Sequence, residues 1–289
     1  MADIKEYICN YLNDTGFTQE LVDSQGLKFP EAYLYADPMC DAALAVRQQL
    51  GMSYCILPFC HTVEADAMGG KIKYGDAVTG PRTSGFICET VEDLQKLSDI
   101  DFSRGRILEV LKACRMLRER GENVVLLITG PFTALNALLD ARYLFRAFRK
   151  QPDEMKTVMA YVERNLINFV REALKYGVNY LSYADPVGGV SIVGPKQAEE
   201  TVWDFTYPLM KKMESLLGDD AVMALCPRTT FALIGTGAAS WGKLDLGGEM
   251  SYSEALVEAM GKARLIGETC IKNSDYKIPN GILKTIVLK

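Results

Sequence analysis

Apolar residues along this chain fall in short, near-continuous runs separated by longer amphipathic stretches. Tyr54-Cys55-Ile56-Leu57, Val124 to Ile128, Tyr180-Leu181-Ser182-Tyr183 and Val222-Met223-Ala224-Leu225 are the clearest runs, each of strand length. Helical spacing predicts helices over Ile107 to Arg118, in segments between Ala134 and Tyr176, from about Lys196 to Leu217, and over Ser253 to Lys262. Further strand-like pieces lie near Ala238 to Trp241, Arg264 to Ile266 and Leu283 to Leu288. Strands that are apolar throughout and alternate with helices predict a parallel sheet covered on both faces, the α/β class. About six or seven such strands leave closure open, because a doubly wound sheet produces the same alternation as an eight-stranded barrel. Ahead of the alternation, Ile4, Ile8, Tyr11 and Leu12 recur at helical spacing and Gly16, Gly26 and Pro30 punctuate the chain. The expected organisation is a helical N-terminal extension over residues 1–45 and one α/β unit over residues 46–289.

Composition narrows the function classes. The 289 residues carry 32 Lys+Arg against 37 Asp+Glu, a net charge of −5 with no basic cluster, which argues against a dedicated nucleic-acid binder. The longest apolar run is far short of the ~20 residues of a membrane-spanning helix, and the start Met-Ala-Asp-Ile-Lys-Glu has no basic segment leading into an apolar one. A cytoplasmic protein is the expectation. Eight cysteines form no CxxC pair and no dense disulfide framework, so they are read as thiols in a reducing compartment. The single histidine, His61, rules out a zinc site built from several imidazoles, and any metal site must lean on sulfur and oxygen.

Chemistry in a parallel α/β fold gathers at the carboxyl ends of the strands. Four junctions have the right character: Pro58 to Gly70, with Cys60, His61, Glu64 and Asp66; Thr129-Gly130-Pro131-Phe132-Thr133; Ala184-Asp185-Pro186-Val187-Gly188-Gly189; and Cys226-Pro227-Arg228-Thr229-Thr230. Asp185 suits either a functional carboxylate or a turn-former or helix cap, and Glu64 either a site acid or a first-turn carboxylate favoured by the helix dipole. Cys226, at a strand end, is placed to be reactive or to bind metal, and Cys270 has a similar setting. Cys9, Cys40, Cys55, Cys88 and Cys114 sit in apolar or helical surroundings and read as structural. Gly235-Thr236-Gly237 is too short for a dinucleotide fingerprint.

In their order along the chain, Thr62 to Gly70, Ile128 to Thr133, Gln151-Pro152-Asp153, Tyr183 to Pro186 and Cys226 to Thr230 resemble the uroporphyrinogen decarboxylase superfamily, and more closely its corrinoid-dependent methyltransferase branch. The resemblance implies a (β/α)₈ TIM-type barrel, abbreviated or rearranged after Cys270, with a pocket at the carboxyl ends of the strands. Two departures stand out. The decarboxylases' Arg-Gln-Ala-Gly-Arg loop has only Arg47-Gln48-Gln49-Leu50-Gly51 as its counterpart, without the second arginine, which argues against porphyrinogen decarboxylation. The thiol methyltransferases' zinc-binding His-x-Cys has Ala224 in place of the histidine, leaving Cys226.

What the resemblance implies is a methyltransferase that moves a methyl group between a methylcobamide on a partner corrinoid protein and a small molecule, tetrahydrofolate or a thiol. Its own corrinoid-binding motif, Asp-x-His-x-x-Gly, is absent around His61, so the cofactor would arrive on the partner. Glu64 and Asp185 are the expected catalytic groups; Thr129, Gly130, Phe132, Asp185 and Arg228 are expected to bind substrate. Zinc, which would supply a thiolate near neutral pH, would be held by Cys226, Cys270 and His61, with Glu64 or Asp185 as other third ligands. The alternative is a lyase of the decarboxylase type, which needs an arginine set of which only Arg228 is well placed. A third reading is a non-catalytic module that binds the corrinoid protein.

Overall fold

The structure, a computed structural model, describes residues 2–11 and 14–289. Leu12, one of the four residues that suggested an N-terminal helix, lies outside the described residues. The other three carry no helix: Ala2 to Tyr11 have no regular secondary structure, and Ile8 is 80% exposed. Helices begin later, with α1 (Gln19–Gln25), capped by the Thr18 side chain, and α2 (Ala36–Gln49). The periodicity at Ile4 and Ile8 fails as a helix signal because this segment is held by contacts to distant parts of the chain, described below.

One sheet organises the molecule. Its strands are β1 (Cys55–Leu57), β2 (Val124–Thr129), β3 (Tyr180–Ala184), β4 (Val222–Leu225), β5 (Ala239–Asp245), β6 (Leu265–Ile266) and β7 (Ile282–Leu288). The spatial order is β1-β2-β3-β4-β6-β7-β5. From β1 to β6 the neighbours pair in parallel, with Cys55 beside Val124, Val125 beside Tyr180, Tyr180 beside Val222 and Met223 beside Leu265. Every residue of β2 and β4 is buried, which explains why these strands read as unbroken apolar runs.

The expected eight-stranded closure is not what the pairing forms. β7 inserts reversed between β6 and β5 and bonds antiparallel to both, over seven residue pairs with β5. β1 and β5 are the two edges, and β5 exposes Ser240, Trp241, Lys243 and Asp245 to solvent. The α/β class holds, with a mixed rather than wholly parallel sheet.

Helices cover the sheet as the sequence pattern requires. The main ones are α4 (Gly105–Glu119), after the short α3 (Val63–Ala67), then α5 (Pro131–Asn136), α6 (Ala141–Lys150) and the 24-residue α7 (Pro152–Lys175). Residues Pro195–Leu217 are helical throughout, with a π-helical turn at Val202–Thr206. α8 (Pro227–Gly235) follows β4, and α9 (Tyr252–Glu258) starts on a capping box between Ser251 and Glu254. One apolar cluster runs from Phe17 to Leu288, so α1 and α2 share the core of the sheet. Among the described residues no helix is long and apolar enough to cross a membrane.

Candidate functional site

β1 to β4 and β6 point the same way, so the segments after them meet at one edge of the sheet. Hydrogen bonds lock the junctions after β2, β3 and β4 together: Gly130 N–H donates to Ala184 O at 2.8 Å, Val187 N–H to Thr133 Oγ1 at 3.0 Å, and Cys226 N–H to Tyr183 O at 2.9 Å. The carboxyl edge proposed from the sequence is thus a continuous surface, built of turns that brace one another.

Glu64 sits in the first turn of α3, only 1% exposed. Its Oε1 accepts the Thr129 N–H at 2.6 Å, while Oε2 is buried and has no hydrogen-bond partner among the described residues. Burial pushes the carboxyl up to about 7, against the opposing pull of the Thr129 hydrogen bonds and the Arg106 charge. His61 Nδ1 lies 3.5 Å from Thr129 Oγ1, and burial, with a smaller contribution from Lys272, pushes the imidazole down to about 4. Near pH 7, therefore, a neutral imidazole and a carboxyl that exchanges its proton both lean on Thr129.

Asp185 is placed differently. Its Oδ1 accepts from Thr133 N–H at 2.8 Å and Thr133 Oγ1 at 2.7 Å, and its Oδ2 from Phe132 N–H at 3.1 Å, so the carboxylate binds the amino end of α5 from the neighbouring strand. Burial raises its pKa and these hydrogen bonds oppose the rise. Gly130 is required here, since a Cβ would lie 2.4 Å from Asp185 Cβ and 2.7 Å from the Tyr183 hydroxyl. The Phe132 ring is 1% exposed and stacks on Phe148 at 4.8 Å. Around Phe132, Tyr183, Asp185 and Arg228 lies a cavity of about 30 Å³, room for a water molecule but not for a substrate.

Arg228 donates through Nε to Tyr7 O at 3.2 Å and through a terminal nitrogen to Pro186 O. Replacing it with methionine is expected to cost about 1–2 kcal/mol, read as a lower urea midpoint, because two carbonyls lose a charged donor while the aliphatic packing survives.

Two elements of this edge went unseen in the sequence. One is Arg106, whose side chain is 4% exposed and enters from α4: Nε donates to Tyr33 O at 2.7 Å, and the terminal nitrogens to Thr62 Oγ1 and Cys60 Sγ, both at 2.9 Å, with Asp66 at 3.6 Å. The signal was an arginine on the apolar stripe of a helix, at the same face as Val110, Ala113 and Leu117. The other is Cys9, which the sequence places among structural cysteines. The Cys270 thiol beside it holds the Cys9 thiol down to about 6, and Cys226 lies within electrostatic reach. Burial pushes the Cys226 thiol up to about 11. No local pattern announces a contact between residues 261 positions apart.

Zinc has no seat in this arrangement. Among the described residues no three His, Cys, Asp or Glu side chains converge on a point that could hold a metal ion. His61 turns to Thr129 and the oxygens of Asp185 to α5, so neither joins Cys226 and Cys270 in the three-ligand set that a catalytic zinc needs.

An interlocked carboxyl edge on a mostly parallel sheet, with a buried carboxyl at its centre, places the molecule among α/β enzyme scaffolds. The chain belongs to the uroporphyrinogen decarboxylase (URO-D) family, whose model matches residues 17–238. It is 25% identical over 220 residues to methylcobamide:CoM methyltransferase MtbA of Methanosarcina mazei, covering 75% of this chain and 64% of that one. To methylcobamide:CoM methyltransferase MtaA of Methanosarcina barkeri it is 24% identical over 230 residues, 78% of this chain and 66% of the relative. In fold it is similar to a methyltransferase from Methanosarcina mazei, with a TM-score of 0.66 at 23% identity over 81% of this chain and 68% of the other. The chain spans 64% of the length of the MtbA relative.

Proposed function

We propose that this protein is a methyltransferase that moves a methyl group between a methylcobamide carried on a partner corrinoid protein and a small thiol or tetrahydrofolate. The observation that carries the reading is Glu64: a buried carboxyl, fixed at Oε1 by Thr129, unpartnered at Oε2 and poised at about pH 7, in a chain whose relatives are methylcobamide methyltransferases by name. The methylcobamide would supply an electrophilic methyl group. A thiol or secondary amine that takes this group must give up a proton, and Glu64 Oε2 is the base matched to receive it at neutral pH and return it in the reverse direction.

Thr129 fixes which carboxyl oxygen stays free, and neutral His61 braces the same threonine. Asp185 acts by positioning: it anchors the amino end of α5 and so holds the Thr129-Gly130-Pro131-Phe132 turn against Glu64. In this reading the small molecule meets that turn, and the partner protein covers the carboxyl edge, aligning methyl and acceptor. The working unit takes in α2, which runs across residue 45 and packs into the core of the sheet, together with β1 to β7. Decarboxylation is not favoured, because its one well-placed arginine, Arg228, is engaged with two backbone carbonyls.

The test uses methylcobalamin in place of the carried cofactor. With tetrahydrofolate or with a small thiol such as 2-mercaptoethanesulfonate, the purified protein is expected to speed the loss of the methylcobalamin absorbance. An unchanged spectrum with both acceptors would overturn the reading.

A further inference from the structure

Arg106 is a cation sunk in an apolar helix face. It shares the buried stripe of α4 with Val110, Ala113 and Leu117, and its side chain is almost wholly withdrawn from water. A buried guanidinium is costly unless its donors are met, so the groups that meet them show what the position is for. Nε donates to the carbonyl of Tyr33, in the one-turn helix Glu31–Leu34. The terminal nitrogens serve the junction after β1. Nη1 donates to Thr62 Oγ1 and Nη2 to Cys60 Sγ, both at 2.9 Å, so the fork straddles His61 and holds the residue on either side of it. Asp66 Oδ2, which also accepts the Tyr74 hydroxyl at 3.1 Å, balances the charge from 3.6 Å, and the guanidinium lies over the Tyr74 ring, 5.3 Å from its centre.

Thr62 gives up another use of its side chain to this grip. It stands at the N-cap of α3, where a threonine hydroxyl ordinarily accepts an amide of the first turn, yet it makes no such bond and accepts from Arg106 instead. Thr18 and Thr90, at the same position of the helices Gln19–Gln25 and Val91–Gln95, do cap them. The helix that forgoes its cap is the one whose first turn carries Glu64. Glu64 follows the clamped Thr62 by two residues, and His61 lies between the clamped pair. Both meet at Thr129: Glu64 Oε1 on its N–H, and His61 Nδ1 3.5 Å from its Oγ1.

We propose that Arg106 is a positioning residue: by clamping Cys60 and Thr62 it fixes the Cys60-His61-Thr62 turn, and with it the placing of His61 and Glu64 against Thr129. It touches no reacting group itself. The planar fork is what the task requires, because one group must reach a sulfur and an oxygen on either side of a residue while its Nε holds a carbonyl behind. A lysine ammonium, a point charge on a flexible stem, keeps the charge but not the span. Displacing Glu64 by about an ångström is enough to cost on the order of a hundredfold in rate, an effect that falls on kcat and leaves KM little changed. The effect on rate rests on the methyltransferase reading above; the placing of His61 does not.

His61 is the only histidine in the chain, so isotope-labelled histidine gives the tag-free, full-length protein a single imidazole Cε1–H resonance. Three variants are compared with the parent at neutral pH. Arg106→Lys keeps the charge and loses the fork. Thr62→Val keeps the shape, loses the acceptor and, since Thr62 caps nothing, loses no cap. Thr62→Ser keeps the hydroxyl. In the first two the resonance should move toward its position in the urea-unfolded protein, and kcat with methylcobalamin should fall about tenfold or more while KM changes little. Thr62→Ser should keep both resonance and rate. If Arg106→Lys does not fold, Thr62→Val against Thr62→Ser decides. An unmoved resonance in folded Thr62→Val, an equal shift in Thr62→Ser, or a loss confined to KM would each overturn the proposal. A parent protein inactive with both acceptors would overturn methyl transfer and not the clamp, which the resonance still decides.

Discussion

Glutamine in place of Glu64 is expected to slow methyl transfer at least a hundredfold with the chain still folded. Glutamine matches the shape of glutamate and can still accept the Thr129 N–H through its carbonyl, so the turn at the end of β2 keeps its brace. What it cannot do is exchange a proton at the Oε2 position, and a well-placed proton acceptor accounts for about 10²–10⁴ in rate. The same substitution has a signature in stability. Glu64 has its pKa raised from 4.5 to about 7, so between these values the folded state holds a proton that the unfolded state has released, and stability falls as pH rises through that window. The glutamine variant lacks this loss. Relative to the parent protein it should gain on the order of 3 kcal/mol between pH 4.5 and pH 8, from a shift of about two to three units.

His61 works in the opposite sense. Its pKa is lowered from 6.5 to about 4, so its contribution to stability is full above 6.5 and is lost as pH falls toward 4. The two groups offset each other in the parent, which is why the difference between variant and parent, not the parent's own profile, is the quantity to measure. Urea midpoints of both proteins from pH 4.5 to pH 8, with rates over the same range, decide it. Parallel stability profiles, or a rate near that of the parent, would remove Glu64 from the chemistry.

The parts of this molecule that could be read from the sequence are those whose signal is local. β2 and β4 are buried on both faces, so their apolar runs could hardly be anything but central strands, and the turns after β1, β2, β3 and β4 follow from them. Glu64 and Asp185 were reachable because a strand end pointed at them. Closure of the sheet was not, since it depends on which partner β7 chooses, and the seven-residue antiparallel ladder with β5 is a long-range choice with no trace in the alternation of Ile282 to Leu288. The N-terminal strap misled for the same reason: Ile4 and Ile8 have helical spacing, but Arg228, Glu199 and Asn273, all more than 190 residues away, fix the segment in another shape.

Alanine in place of Asp185 is expected to cost the fold about 3–5 kcal/mol, the largest loss of stability at this edge. Three donors lose their acceptor at once: the amides of Phe132 and Thr133 and the Thr133 hydroxyl. Phe132 is 1% exposed, so water does not readily take the carboxylate's place, and each buried donor left unpaired costs about 1–3 kcal/mol. The truncation also enlarges the cavity beside Phe132 and Tyr183.

Asparagine is the informative companion. Its carbonyl oxygen can serve Thr133 as Oδ1 does, but its amide then faces the Phe132 N–H, donor against donor, so the variant should lie between alanine and the parent in thermal midpoint. Because both carboxylate oxygens are spent on α5, the folded asparagine variant should keep its rate within a few-fold in the methylcobalamin assay, while Glu64→Gln does not. A hundredfold loss of rate in a folded Asp185→Asn protein would instead place this carboxylate in contact with the reacting groups, and Thr133 and Phe132 would then be the residues that aim it.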